Sequence, residues 1–265
     1  MFRNINKFNY KKISKNLIDN GYYIFENYFH KKELSEIKAS LLETLNYIEK
    51  DKIKDLQKKY YKKKKKKPKL KGHWYDMAPY NIDLLGKLHK PQLINFIKKF
   101  FNTKVIFSGR PAIHVHDDEN DKLLDPHQET SQFARDTIVF WSPLFDTNAL
   151  NGGMSIYKNS HCHGYFKHSL EHPRLGKKSW TKQYTHISNN VAKKFKKVNL
   201  NVKAGSAVIF LSSLVHSGYN NKKKDSVRIT ITERFNPLKR LPYLKKDNAP
   251  LKIPFVGINY NKIKN

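Results

Sequence analysis

Two histidines and a carboxylate stand in an order that suits a divalent metal. His127 and Glu129 are two apart in Asp125-Pro126-His127-Gln128-Glu129-Thr130. In an extended strand such residues project to the same face, so an imidazole nitrogen and a carboxylate oxygen can meet one ion. His216 follows 89 positions on (216 minus 127), at the end of the run Gly205–Val215. A histidine closing a buried strand after a turn glycine is placed to face a cavity. Two imidazoles and one carboxylate on one octahedral face leave three positions open, the set that suits non-haem Fe(II) oxygenases. Arg228 lies twelve residues after His216 (228 minus 216), in Ser226-Val227-Arg228-Ile229-Thr230, on what should be the neighbouring antiparallel strand. Its guanidinium can grip a carboxylate through two parallel charge-assisted hydrogen bonds. A dicarboxylic 2-oxo acid could then chelate iron at one end and pair with Arg228 at the other.

Positioning such groups needs a β scaffold, and the second half of the chain reads as one. Short β-type runs cover Val105–Val115, Thr137–Leu144, Met154–Tyr157, Val198–Val202, Ser206–Leu211 and Val227–Phe235. Turn residues such as Asn151-Gly152-Gly153 and Ala204-Gly205-Ser206 separate them, and many short strands in series favour a sandwich or barrel. The first hundred residues are mainly helical. In Lys31–Lys50, apolar Leu34, Ile37, Leu41, Leu42 and Leu45 recur at three- and four-residue steps and form one stripe that must dock. Asp19-Asn20-Gly21 before Tyr22-Tyr23-Ile24-Phe25 predicts a helix end leading into a strand, and a further helix falls near Leu93–Phe101. Helices gathered before a β region predict an α+β arrangement. The expected organisation is one domain over 1–265: helical support in 1–103, a β core in 104–240 and a C-terminal extension in 241–265. Pro173–Trp180 reads as an irregular insertion.

Length and composition narrow the field. The chain has 265 residues, 38% of them hydrophobic and 13% aromatic, enough for packed layers and against wholesale disorder. No apolar run approaches the roughly 18–20 residues that cross a bilayer. The amino terminus lacks a secretory apolar segment, and the single Cys162 cannot form an internal disulfide, so a cytoplasmic location is the expectation. Lys plus Arg number 52 against 22 acids, a formal net charge of +30. Such a field draws polyanions at long range, although a compositional bias that fills solvated positions with Lys and Asn explains the same excess. The segment Lys58–Lys71 holds ten Lys and no acid, which predicts a mobile loop, with a polyanion-binding arm or lid as the sharper alternative.

At these residues the chain resembles the phytanoyl-CoA dioxygenase family of Fe(II)- and 2-oxoglutarate-dependent oxygenases. The likeness runs through Gly21–Ile24, His127-Gln128-Glu129, Ile138–Leu144, Asn151-Gly152-Gly153-Met154, Asn159–Gly164, the His216-Ser217-Gly218 turn with Asn220, and Arg228 followed by Arg234-Phe235. The resemblance implies a double-stranded β-helix, jelly-roll or cupin-like, with packed N-terminal helices. It implies that His127, Glu129 and His216 bind iron, that Arg228 holds the distal carboxylate of 2-oxoglutarate, and that Trp141 and Ser217 add contacts to that co-substrate. It further implies that O2 and 2-oxoglutarate are consumed, succinate and CO2 are released, and a small molecule is hydroxylated, an anionic one being favoured by the charge. The family usually has Asp where this chain has Glu129, one methylene longer. Because a carboxylate is retained, hydroxylation is favoured over halogenation.

Rival readings remain open on the residues alone. His114 and His116 alternate before Asp117, Asp118 and Glu119 and offer a competing cupin-type metal set, or else one of them lines the co-substrate pocket. His161 and His163 read as structural or surface residues. Arg234 should project from the same side of its strand as Arg228, farther from the iron and in a structural role. Tyr22, Tyr23, Trp74 and Tyr75 read as core aromatics before pocket-shaping ones. A different class also fits the charge: a non-catalytic basic β-scaffold module that binds nucleic acid or another polyanion. No nucleophile elbow and no phosphate-cradling glycine loop occurs.

Overall fold

Two antiparallel sheets face each other, and helices cover the outer side of the larger one. The computed structural model describes residues 8–66, 77–109, 111–118, 125–129, 137–168 and 186–237, the side chains of 63–66 excepted. The helices are α1 (Tyr10–Asn20), α2 (Lys31–Glu49), α3 (Leu56–Lys66), α4 (Ile82–Leu88), α5 (Pro91–Phe100) and α6 (Asn189–Ala192). The strands are β1 (Tyr22–Phe25), β2 (Ile106–Ser108), β3 (Ala112–Asp117), β4 (Ile138–Pro143), β5 (Asn151–Tyr157), β6 (Lys197–Asn199), β7 (Ala207–Leu211), β8 (His216–Asn221) and β9 (Val227–Pro237). The larger sheet runs β1-β7-β4-β9-β2, with β3 also on β9, and the smaller runs β6-β5-β8. This is the double-stranded β-helix, an α+β fold.

Alternation along the strands sorts side chains between two interiors. On β9, Val227, Ile229, Ile231 and Phe235 join the core packed under the helices, while Arg228, Thr230, Thr232 and Arg234 point between the sheets. The same split holds on β3 (Ile113 and Val115 against His114 and His116), β4 (Ile138 and Phe140 against Val139 and Trp141) and β7 (Ala207 and Ile209 against Val208 and Phe210). Both faces of these strands are buried, yet only one is uniformly apolar. The α2 stripe supplies Ile37, Leu41 and Leu45 to the helix-side core. Gly21 ends α1 at φ +80, where its N–H reaches the Leu17 carbonyl, and β1 begins at the next residue.

Four expectations change. The run Val105–Val115 is two strands, β2 and β3, which pair with successive stretches of β9. His216-Ser217-Gly218 opens strand β8 instead of forming a turn: Gly218 pairs with Met154, Ser217 with Ser155 and His216 with Ile156. Its sequence lacks β-type alternation, so the pairing with β5 makes it a strand. Lys58–Lys66 of the lysine run is helical, within α3. There Lys59 is fully buried with its Nζ 3.0 Å from Glu49 and 2.6 Å from Asp51. Buried Tyr60 donates to Asp117 on β3, and Gln57 donates to the Val227 carbonyl. Counting lysines missed the acids that folding brings beside them. Finally, His127 sits in an isolated bridge and Glu129 in a turn, so the pair is not on a regular strand. Residues 67–71 of the lysine run, Trp74, Tyr75, Glu119, Pro173–Trp180 and 241–265 lie outside the described residues.

Candidate metal centre

His127 and His216 are joined backbone to backbone. Each N–H donates to the other's carbonyl at 3.0 Å, so the two side chains leave adjacent points, with their rings 4.2 Å apart. The segment carrying His127 and Glu129 has little regular structure, and Gln128 replaces what a strand would supply. Its Nε2 donates to the carbonyls of Gly164 and Ser213, its Oε1 accepts from the Phe166 N–H, and its own N–H donates to His168. The Glu129 N–H reaches the Ser212 carbonyl. These bonds tie the segment to both flanking turns.

The three candidate ligands converge. Glu129 Oε1 lies 3.8 Å from His127 Nε2 and 3.6 Å from His216 Nε2, and one ligand atom from each residue falls within 4.8 Å of the others. His127 Nδ1 donates to the Asp125 carbonyl at 2.7 Å and His216 Nδ1 to the Leu214 carbonyl at 3.0 Å. A carbonyl only accepts, so the protons sit on Nδ1 and both Nε2 lone pairs remain for an ion. Burial, then His216, pushes the His127 pKa down to about 3 and keeps that ring neutral. Burial opposes a charge on Glu129, but Arg234 and the two histidines hold its carboxyl well below the usual range. Two imidazoles and one carboxylate are the donor set a ferrous ion takes.

The surrounding cavity is walled by Val139, Trp141, Met154 and Phe210 and by polar Ser217, Thr230, Thr232 and Arg228. Arg228 is buried, donates from Nη1 to the Gly153 carbonyl at 2.7 Å, and among the described residues has no partner for its Nε. Burial lowers its pKa to about 10, so it stays charged at neutral pH. A buried cation with an unused donor suits an incoming anion. Trp141 and Ser217 line the same cavity, and so do both His114 and His116, not one alone. His161 is structural: its Nε2 binds the Ile18 carbonyl at the end of α1.

Arg234 departs from expectation. Instead of standing away from the metal position it donates from Nε to Glu129 Oε2 and from Nη2 to Glu129 Oε1, both at 3.3 Å. Strand alternation placed it on the cavity side. Only the turn carrying Glu129, 105 positions earlier (234 minus 129), sets what it meets there.

Fold and site together define a mononuclear non-haem iron oxygenase built on a double-stranded β-helix. The phytanoyl-CoA dioxygenase (PhyH) family matches residues 18–229, and the chain belongs to that family. Fe(II) and 2-oxoglutarate are its cofactors, and the buried His127, Glu129 and His216 fit the iron. Among solved structures, the non-heme alpha ketoglutarate dependent epimerase SnoN from nogalamycin biosynthesis is 13% identical with a TM-score of 0.59, over 86% of this chain and 83% of its own. It has been solved with Fe3+, alpha ketoglutarate and nogalamycin RO. The carbocyclase SnoK from the same biosynthesis is 15% identical with a TM-score of 0.60, over 85% and 83%. EctD from S. alaskensis is 10% identical with a TM-score of 0.59, over 90% and 81%. At these identities the likeness is one of fold. No curated protein sequence matches the chain. No helix among the described residues is long and apolar enough to cross a membrane.

Proposed function

We propose that this oxygenase hydroxylates a small, anionic molecule in the cytoplasm, with His127, Glu129 and His216 holding the iron and Arg228 holding the distal carboxylate of 2-oxoglutarate. The observation that carries it is the convergence of two Nε2 atoms and one carboxylate oxygen in a cavity that also holds an unsatisfied guanidinium. When bound, iron and 2-oxoglutarate supply the oxidising power: O2 is consumed, 2-oxoglutarate becomes succinate and CO2, and one oxygen atom enters a substrate C–H bond.

The chain's own groups bind, orient and exclude water. The carbonyls of Asp125 and Leu214 hold the two imidazoles in one tautomer. Arg228, braced on the Gly153 carbonyl, offers its free N–H to a carboxylate. Ser217 and Trp141 line the same cavity from the two facing sheets and give that co-substrate a hydroxyl and an indole to pack against. Val139, Met154 and Phe210 keep the chamber apolar, which strengthens each charged contact inside it.

Anaerobic addition of Fe(II) and 2-oxoglutarate should produce a visible charge-transfer absorption at one equivalent, and aerobic incubation should release succinate. His127→Ala or His216→Ala should abolish both, and wild-type turnover in either variant would refute the ligand assignment. Product mass separates the outcomes of the fold: one added oxygen for hydroxylation, no change for epimerisation and loss of two hydrogens for ring closure. An iron-free protein that binds DNA or RNA tightly and salt-sensitively would instead support the basic module.

A further inference from the structure

Glu129 carries one methylene more than an aspartate would, and that extra torsion lets its carboxylate swing away from the imidazoles. The structure answers this with a guanidinium. Arg234 meets the carboxylate side-on, Nε on Oε2 and Nη2 on Oε1, while Oε1 faces both histidines. A rigid two-donor fork fixes the plane of a carboxylate, which a single ammonium cannot do.

The fork is itself held. Arg234 Nη1 donates to Thr232 Oγ1 at 3.2 Å, and Thr232 Oγ1 also lies 3.1 Å from His114 Nε2. The strand beneath is pinned through the fully buried carboxylate of Glu233, which accepts from the Arg234 N–H at 2.6 Å, the Gly109 N–H and the Ser108 hydroxyl, with His89 Nε2 at 3.0 Å. Gly109 leaves room for this approach: a Cβ there would stand 2.7 Å from the Cβ of Arg234.

We propose that Arg234 is a positioning residue that orients the Glu129 carboxylate so that Oε1 faces the two imidazoles, compensating for the longer side chain. The inference rests on the ligand assignment made above and concerns what keeps one ligand in place.

The test is an anaerobic Fe(II) titration of the full chain, paired with thermal melts. Arg234→Met should weaken Fe(II) binding about 10- to 100-fold, the range for residues that support metal ligands, and leave the affinity of the iron-loaded protein for 2-oxoglutarate unchanged. Arg234→Lys keeps the charge but not the fork, and should fall between the two. Glu129→Asp combined with Arg234→Met should bind iron no more weakly than Glu129→Asp alone, because the arginine acts only through the longer carboxylate. Removing a cation near a metal should by itself tighten binding, so the sign discriminates. If Arg234→Met binds iron as tightly as the unaltered protein or more tightly, or if the two losses simply add, positioning is refuted. Should Arg234→Met fail to fold, wild-type affinity in Arg234→Lys refutes it equally. If the unaltered protein binds no Fe(II), the metal assignment itself fails, a result distinct from each of these.

Discussion

The two arginines of β9 point into one cavity from one face of one strand, six positions apart, and are satisfied in opposite ways. Arg234 is answered from within the chain by Glu129. Among the described residues, Arg228 is answered by a backbone carbonyl and keeps an unused buried donor. Residue type and burial are the same, so the difference lies in what faces them. A guanidinium paired inside the chain is part of the fold, whereas one left with a free donor costs stability and suits an incoming anion, the role proposed for Arg228.

That contrast predicts opposite signs. Arg234→Leu leaves Glu129 buried without its partner and should lower the stability of the metal-free protein by about 3–5 kcal/mol in chemical denaturation. Arg228→Leu removes a buried charge with no partner carboxylate among the described residues, and should raise that stability by about 1 kcal/mol. The same change should weaken 2-oxoglutarate by about 2–5 kcal/mol in a direct titration. Losses of similar size in both melts would erase the distinction, and an unchanged 2-oxoglutarate affinity would move the co-substrate elsewhere.

A smaller effect sharpens the arginine-234 side. Gly109→Ala drives a methyl group into the Cβ of Arg234 and should cost about 1–3 kcal/mol of stability. Gly86 in α4 has nothing within 4 Å of a Cβ, so Gly86→Ala should stabilise by about 0.5–1 kcal/mol. A last effect is one of pH. Burial, then the two arginines, depresses the His114 pKa to about 3 from an ordinary 6.5. The unfolded chain therefore binds this proton first as pH falls, and the native state loses stability progressively between pH 6.5 and 3. His114→Asn should flatten that part of the stability profile, and an unchanged slope would mean that the ring is protonated or exposed.

Much of the candidate site was legible because local chemistry marks it. His127, Glu129, His216 and Arg228 are few in type, lie beside β-type runs or turns, and have spacings that strand geometry can bring together. The two interiors were legible too, since β3, β4, β7 and β9 carry alternation that survives burial on both faces. Strand β8 was not, because His-Ser-Gly-Tyr-Asn-Asn shows no periodicity until β5 pairs with it. Nor was α3, where lysine density concealed a docking face made of Leu56, Lys59 and Tyr60.

Sequence by itself determined which residues can be ligands, which strand faces are apolar, and where α1 must stop, because these follow from side-chain chemistry, backbone torsion and periods of two to four residues. Tertiary structure decided which partner these buried charges found: Glu129 for Arg234, Asp51 and Glu49 for Lys59 and, among the described residues, a carbonyl for Arg228. Those pairings join segments separated by anything from eight to over a hundred positions, and a charge buried in a low-dielectric interior is set by its nearest neighbours in space.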